Sequence, residues 1–380
     1  MASTHVRRLA VELAGRSLLV VVTVHLLPHI FVGDITHFRH IARLVTPSRL
    51  PYRSVLWEFP PLTIPFLLLE KISSGSRAVY LSLFAAVTVT LELASLELLR
   101  RAWPDRDKEL TWIWMATVLP VAALAYFRLD FLAVFFAALA LVGIERGRAT
   151  AWPIVAGVAT KLWPGLLLVV LAVQRRWRSA VAGLIGSIAV FVGWYAFSPK
   201  GFRAFVRYRA GKGLEIESLP ASLRLLGHHG RFTVRSGAWV IDAGGFHWVD
   251  PAVSAALVVF TVALGWWAYR RAAVDAVALG GALVLGTMLF SRLLSAQYLV
   301  WLGPFVAVLW IRGRRSVGWL ALIASWLTFV ELLWFEHHLI RGSRVMGAVV
   351  LARNVVLVAL LVDLVRSVRS VPQPREVNQG

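Results

Sequence analysis

The chain has 380 residues, 58% of them hydrophobic, with a mean hydropathy of +0.71 and a formal net charge of +20. Apolar runs near bilayer length recur from Ser17 almost to Val365, more than one globular core can absorb, which excludes an ordinary soluble domain. The basic residues sit mostly in short turns between those runs, as in a membrane protein oriented by its cytoplasmic loops and drawn to anionic lipid, which excludes a nucleic-acid binder.

The expected fold is all-α: one integral membrane domain over residues 1–371, a polytopic bundle of about ten to twelve membrane segments, followed by a disordered tail at 372–380. The first apolar run, 17–32, follows a basic stretch and resembles a signal peptide, but no small-residue cleavage site follows, so it is read as a retained helix. It delivers Gly33-Asp34 to the outer face, where residues 33–60 form the first external loop. There Ile35, Phe38, Ile41, Ala42 and Val45 recur at helical spacing, away from Arg39, Arg43, His37 and His40. This predicts an interfacial helix with Asp34 at its N-cap.

Residues 62–72, behind Pro60 and Pro61 and containing Pro65, are too short to span and read as a half-helix that dips in and returns. Spans at about 78–99, 110–127 and 130–144 put Arg128 and Asp130 outside. The run 151–174 is broken by Lys161-Leu162-Trp163-Pro164 and reads as another pair of half-helices, with Lys161 on the Asp34 side. A continuous span would instead place Lys161 in mid-membrane. Spans at about 179–197 and 252–269 enclose the long polar segment 198–251, external by parity. Further spans lie near 274–290, 297–311, 316–335 and 345–365. Arg7/Arg8/Arg16, Arg175/Arg176/Arg178, Arg270/Arg271, Arg312/Arg314/Arg315 and Arg366/Arg369 place both termini in the cytoplasm, leaving nearly every unusual polar residue on the outer face. The 17 tryptophans, many near run ends, fit interfacial belts.

Asp34 is the leading chemical candidate, a carboxylate at the bilayer surface able to take a proton from a sugar hydroxyl; a plain helix cap is the simpler and compatible reading. Glu58, in Trp57-Glu58-Phe59-Pro60-Pro61, is either a site residue or a loop acid, solvated or paired with Arg53. Lys161 interrupts an apolar run at a cost of about 2.5–3.5 kcal/mol on insertion scales, so it either serves an anion or snorkels to the interface. Arg128 and Asp130 are a buried structural pair or part of the site. Ser291-Arg292 and Gln297-Tyr298 can offer donors to an anionic group, or Arg292 can touch a lipid headgroup.

Adjacent histidines at His228/His229 and His337/His338 lack helical i,i+4 spacing and favour surface pairs over metal ligands. Asp34 and Glu58 form no local acidic cluster, so no metal or other cofactor is expected to be obligatory. Without cysteine there is no disulfide, thiolate site or cysteine nucleophile, and no nucleotide loop or GxSxG motif supports soluble nucleotides or serine hydrolysis.

Gly33-Asp34, Pro51-Tyr52, Glu58-Phe59-Pro60-Pro61, Arg128-x-Asp130, Lys161-x-Trp163-Pro164, Glu217-Ser218-Leu219-Pro220 and Ser291 with Gln297-Tyr298-Leu299-Val300-Trp301 together resemble the ordered motifs of glycosyltransferase family 87. These are polytopic enzymes of the GT-C superfamily, best known as polyprenyl-phosphate-mannose-dependent mannosyltransferases and related arabinofuranosyltransferases. The resemblance implies inverting transfer of a sugar, first mannose, from a polyprenyl-phosphate donor to a lipid-linked glycan or glycolipid on the extracytoplasmic face of the cell membrane. It implies Asp34 as base and Lys161 at the donor phosphate; by their charge and place in the external loops, Arg292 or Arg128 can join Lys161 there. Tyr52, Glu58, Trp163, Glu217, Ser218, Gln297 and Tyr298 would line the substrates. Two departures stand out: Phe59 replaces the family's usual tyrosine, and the common Ser-Pro-Gln-Tyr is stretched to Ser291 through Tyr298. An arabinofuranosyl donor, or a lipid or sugar transporter with polar groups along a path through the bilayer, are the alternatives.

Overall fold

A computed structural model describes residues 2–26, 32–148, 150–211, 213–227, 232–235, 238–241, 249–334, 338–339, 341 and 343–369. His228, His229, His337 and the tail 372–380 lie outside the described residues; His338 is exposed. Among the described residues there are sixteen α-helices, and five of them are long and apolar enough to cross a membrane: α4 (Arg77–Ala102), α9 (Trp177–Phe197), α12 (Val249–Tyr269), α15 (Arg315–Trp334) and α16 (Arg344–Ser367). The architecture is that of an all-α membrane protein. Its one departure among the described residues is a three-stranded antiparallel sheet of order β1-β3-β2, with β1 Leu214–Glu215, β2 Phe232–Arg235 and β3 Ala238–Ile241, inside the long polar segment.

The first helix, α1, runs Ala2–Leu26 rather than starting at residue 17. The basic stretch is helical because its charges find partners on α4. Arg16, 2% exposed, is bidentate to Glu92, with Nη2 to Oε1 at 2.8 Å, and Arg100 forks onto Glu12. Trp114 and Tyr126 on or beside α5 (Asp107–Ala125) donate to the same Glu92 at 2.6 and 3.2 Å. Arg16 is thus a buried helix residue and not part of a basic turn. Polar residues also do not gather at one end only, because a ladder of ion pairs runs down the α1/α4/α5 seam. Glu92 lies ten residues, about 15 Å of helix, from the end of α4 at Ala102.

The next helix, α2, spans Val32–Leu44 and buries the expected stripe of Ile35, Phe38, Ile41 and Ala42, with Val45 just beyond its end. Phe38 meets Trp57, Phe59 and Phe84 at ring centroids 5.4, 5.4 and 6.2 Å apart. Asp34 stands inside the first turn of α2, not at its N-cap, since the helix already begins at Val32. Arg39 and Arg43 both bind Glu70, at 3.0 and 2.7 Å, near the end of α3 (Ile64–Ile72). The half-helix therefore ends back beside α2, as a returning segment must.

The run 151–174 is two short helices, α7 (Ala151–Val158) and α8 (Leu167–Val173), joined by a turn and a 3-10 segment at Trp163–Leu166. Arg176 donates to the carbonyls of Ile144 (3.1 Å) and Arg148, so the segment ends where it began. This is a re-entrant hairpin with Lys161 at its tip. Close packing holds it shut, for a Cβ at Gly157 would lie 2.7 Å from the Pro164 side chain. The continuous span is excluded.

Candidate active site

Four of the predicted residues meet around one short turn between α5 and α6 (Asp130–Glu145). Arg128 pairs with Asp34, Nε to Oδ2 at 2.8 Å, and Lys161 pairs with Asp130, Nζ to Oδ1 at 2.6 Å. Arg128 and Asp130 do not pair with each other. Their Cα atoms are two residues and at most about 7.6 Å apart. The two ion pairs thus share one short turn, which ties the carboxylate of the first external loop and the ammonium of the hairpin tip to the same element. Asp34 keeps 33% of its side chain exposed, against 12% for Lys161 and 1% for Asp130. The carboxylate is thus open to an incoming molecule while its neighbours are held inside.

The Lys161 ammonium sits in a cage. Tyr298 and Trp301 present their rings 5.2 and 5.3 Å away, the Trp301 indole N–H donates to Asp130 Oδ1 at 2.6 Å, and Trp163 stacks on Trp301 at 5.2 Å and 16°. Tyr298 stacks on Trp301 from 4.2 Å. Trp301 belongs to the 3-10 segment Ala296–Leu302, which continues into α14 (Gly303–Ile311). Its tighter turn places Tyr298 and Trp301, three apart, one above the other. Gln297 is buried and accepts from the Ser295 hydroxyl at 2.7 Å.

Glu217 reaches the same cluster from the long polar segment. Its carboxylate lies 3.5 Å from Arg353 on α16, and its carbonyl accepts from Arg353 and from the Asn354 amide (3.2 Å). Arg353 also donates to Glu331 on α15 at 2.8 Å. Burial pushes the Glu217 carboxyl above the ordinary glutamate range, opposed by the charges of Arg353 and Arg128 and by the Ala296 N–H. Arg128 therefore acts on both Asp34 and Glu217. Ser218 is fully buried and accepts from the Ala221 N–H at 3.4 Å, a cap on α11 (Leu219–Gly227). The Arg292 carbonyl accepts the Glu215 N–H at 3.0 Å, which docks this segment on the 291–297 loop.

Tyr52 and Glu58 face inward. Tyr52, 3% exposed, has φ +66°, a costly left-handed conformation for a residue with a side chain. Its hydroxyl donates to the Phe59 carbonyl at 2.6 Å, and burial raises its pKa. Glu58 is buried rather than solvated. Arg53 does not pair with it but stacks over Phe197 at 4.3 Å. Leu62 N–H binds the Ala159 carbonyl at 2.9 Å, tying this loop to the hairpin tip. Trp301, Glu331 and Arg353 carry the cluster without having been singled out as site residues. The last two are charges inside apolar runs, the signal that marks them.

Among the described residues no group of three or more acidic or histidine side chains is placed to hold a metal ion. The family model described as "Glycosyltransferase family 87" matches residues 59–296, more than half of the chain. No curated protein and no solved structure matches it.

Proposed function

Since the chain belongs to glycosyltransferase family 87, and so is a membrane glycosyltransferase, we propose that it moves mannose from a polyprenyl-phosphate donor to a lipid-linked glycan or glycolipid acceptor. The pair of ion pairs Asp34–Arg128 and Asp130–Lys161 carries this reading, because it ties a candidate carboxylate base and a candidate phosphate-binding cation to the same short turn.

In the step we infer, an acceptor hydroxyl gives its proton to Asp34 as its oxygen attacks the anomeric carbon. The bond to the phosphate oxygen breaks on the opposite face, and the electron pair leaves with the polyprenyl phosphate. One displacement inverts the anomeric configuration. The leaving phosphate needs charge stabilisation more than a proton, and Lys161, Arg128 and Arg292 supply it in a site largely shielded from water. No metal ion enters this step. Trp163, Tyr298 and Gln297 line the donor side, and Tyr52, Glu58, Glu217 and Ser218 shape and brace the acceptor side.

Ten crossings complete the proposed GT-C-type topology: α1, α4, α5, α6, α9, α12, α13 (Ala276–Leu289), the 296–311 segment, α15 and α16, with the α7/α8 hairpin re-entering. The basic turns then put both termini in the cytoplasm and the site at the extracytoplasmic end. From Glu145 to Asp130, α6 rises about 24 Å, against a hydrocarbon core of about 30 Å. Lys161 therefore sits near the outer headgroup boundary, the depth at which a lipid phosphate travels.

Asp34→Asn, in protein shown to be folded by an unchanged melting temperature, is expected to abolish transfer from radiolabelled polyprenyl-phosphate mannose. Full transfer by that variant would overturn the base assignment, and transfer from the arabinofuranosyl donor alone would overturn the mannose assignment.

A further inference from the structure

Helix α10 (Pro199–Gly211) follows α9 after a single residue, Ser198. Its apolar face is used up in anchoring. Phe202 and Phe205 pack on Trp194 at 5.4 and 4.8 Å, and the Tyr52 ring meets Trp194 from another side at 4.8 Å. Ser198 donates to the Tyr52 carbonyl at 2.7 Å, and Gly201 approaches that carbonyl so closely that a Cβ there would lie 2.2 Å from it. The helix is clamped to the first external loop and cannot roll.

That clamp fixes a second face outward. Lys200, Arg203, Ala204, Arg207 and Tyr208 recur at i, i+3, i+4, i+7 and i+8 and line one wall of a groove whose other wall is Leu56. Lys200, Arg203 and Arg207 are exposed, and none of the three forms an ion pair with a carboxylate among the described residues. Cations buried or half-buried inside the bundle are paired, as with Arg16, Arg39, Arg100, Arg128, Lys161, Arg312 and Arg353. Arg203 donates to the Tyr195 hydroxyl at 3.4 Å, and three cations without an ion-pair partner among the described residues, on the end opposite the basic turns, also run against the charge bias that orients membrane proteins. They span about 10 Å along the helix, so a phosphate beside Arg203 is within reach of its neighbours. Exposed Leu56, Tyr195, Phe197 and Val206 put apolar surface beside the stripe.

We propose that this groove is a headgroup site for an anionic phospholipid of the surrounding leaflet, with its phosphate held by Lys200, Arg203 and Arg207 and its acyl chain lying beside Leu56. The inference stands on the α10 geometry and is independent of the donor and acceptor assigned above. Bound lipid would pin α10, and through Tyr52 the loop that leads to Glu58.

The test uses the full chain in nanodiscs of phosphatidylcholine with phosphatidylglycerol, followed by native mass spectrometry of the lipid retained on release. The wild type is expected to retain phosphatidylglycerol in preference to phosphatidylcholine. Lys200→Gln/Arg203→Gln/Arg207→Gln is expected to lose that retention at least tenfold, and Lys200→Arg/Arg203→Lys/Arg207→Lys to keep it. A control, Arg178→Gln/Arg270→Gln/Arg271→Gln, neutralises three cations elsewhere and is expected to leave retention unchanged. Melting temperature confirms that each variant is folded, since Phe202 and Phe205 are untouched. Unchanged retention in the α10 glutamine variant, equal loss in the control, or displacement of the lipid by millimolar inorganic phosphate would each overturn the proposal.

Discussion

Lys161 shows how a charge is kept at a membrane site. Asp130 neutralises it, two aromatic faces stabilise it, and the Trp301 N–H fixes the Asp130 oxygen that it binds. An anion arriving at Lys161 shares a preorganised ammonium and does not have to order a loose one. Lys161→Met is expected to lower kcat about 10²- to 10³-fold, the usual cost of removing one preorganised charge-stabilising donor. Trp301→Phe keeps the stack but drops the N–H, a bond to a charged group worth about 1.5–3 kcal/mol, and is expected to cost about tenfold or more. Steady-state transfer assays at saturating donor check both; a Lys161→Met enzyme at wild-type kcat would remove the lysine from the chemistry.

At the scale of elements, the re-entrant hairpin does the positioning. Lys161-Leu162-Trp163-Pro164 could be read directly as a break, because proline cannot continue a helix and a lysine does not rest in hydrocarbon. The tight packing of its two arms was not legible, because only the folded backbone shows that Gly157 faces Pro164. A methyl group at Gly157 meets a rigid ring at 2.7 Å and the Phe136 Cβ at 3.4 Å, so Gly157→Ala is expected to cost about 1–3 kcal/mol by overpacking and to displace Lys161. Gly15→Ala, where nothing lies within 4 Å, is expected to be neutral or stabilising by about 0.5–1 kcal/mol. Melting in detergent separates the two. The α2 stripe, by contrast, was legible residue by residue, because its period is the helix's own.

For the whole molecule, the α1/α4/α5 seam is the unexpected feature. A polar path through a bilayer is what a transporter would show, but these groups are closed on one another: Arg16 on Glu92, Glu92 on Trp114 and Tyr126, and Arg100 on Glu12. Such a ladder fixes the register of three helices and offers no vacant ligand. Removing one partner leaves a buried charge, so Arg16→Leu is expected to destabilise by about 3–5 kcal/mol, whereas Arg16→Leu/Glu92→Leu recovers much of the loss. The melting temperatures should therefore rank wild type, then double variant, then single variant; a double variant less stable than the single would rule out pairing as the source.

The sequence by itself determined the membrane class, the apolar helices but not α10, α11 or the first half of α1, the family-like order of motifs and the break at Lys161. Each of these follows from local composition or from a period within one segment. Only the tertiary structure decided the pairings: Arg128 with Asp34 rather than Asp130, Arg16 with Glu92, Arg353 between Glu217 and Glu331, and Arg53 with Phe197 rather than Glu58. A charge in a low-dielectric interior takes whichever opposite charge or ring the packing brings within a few ångströms, and spacing along the chain does not encode that distance.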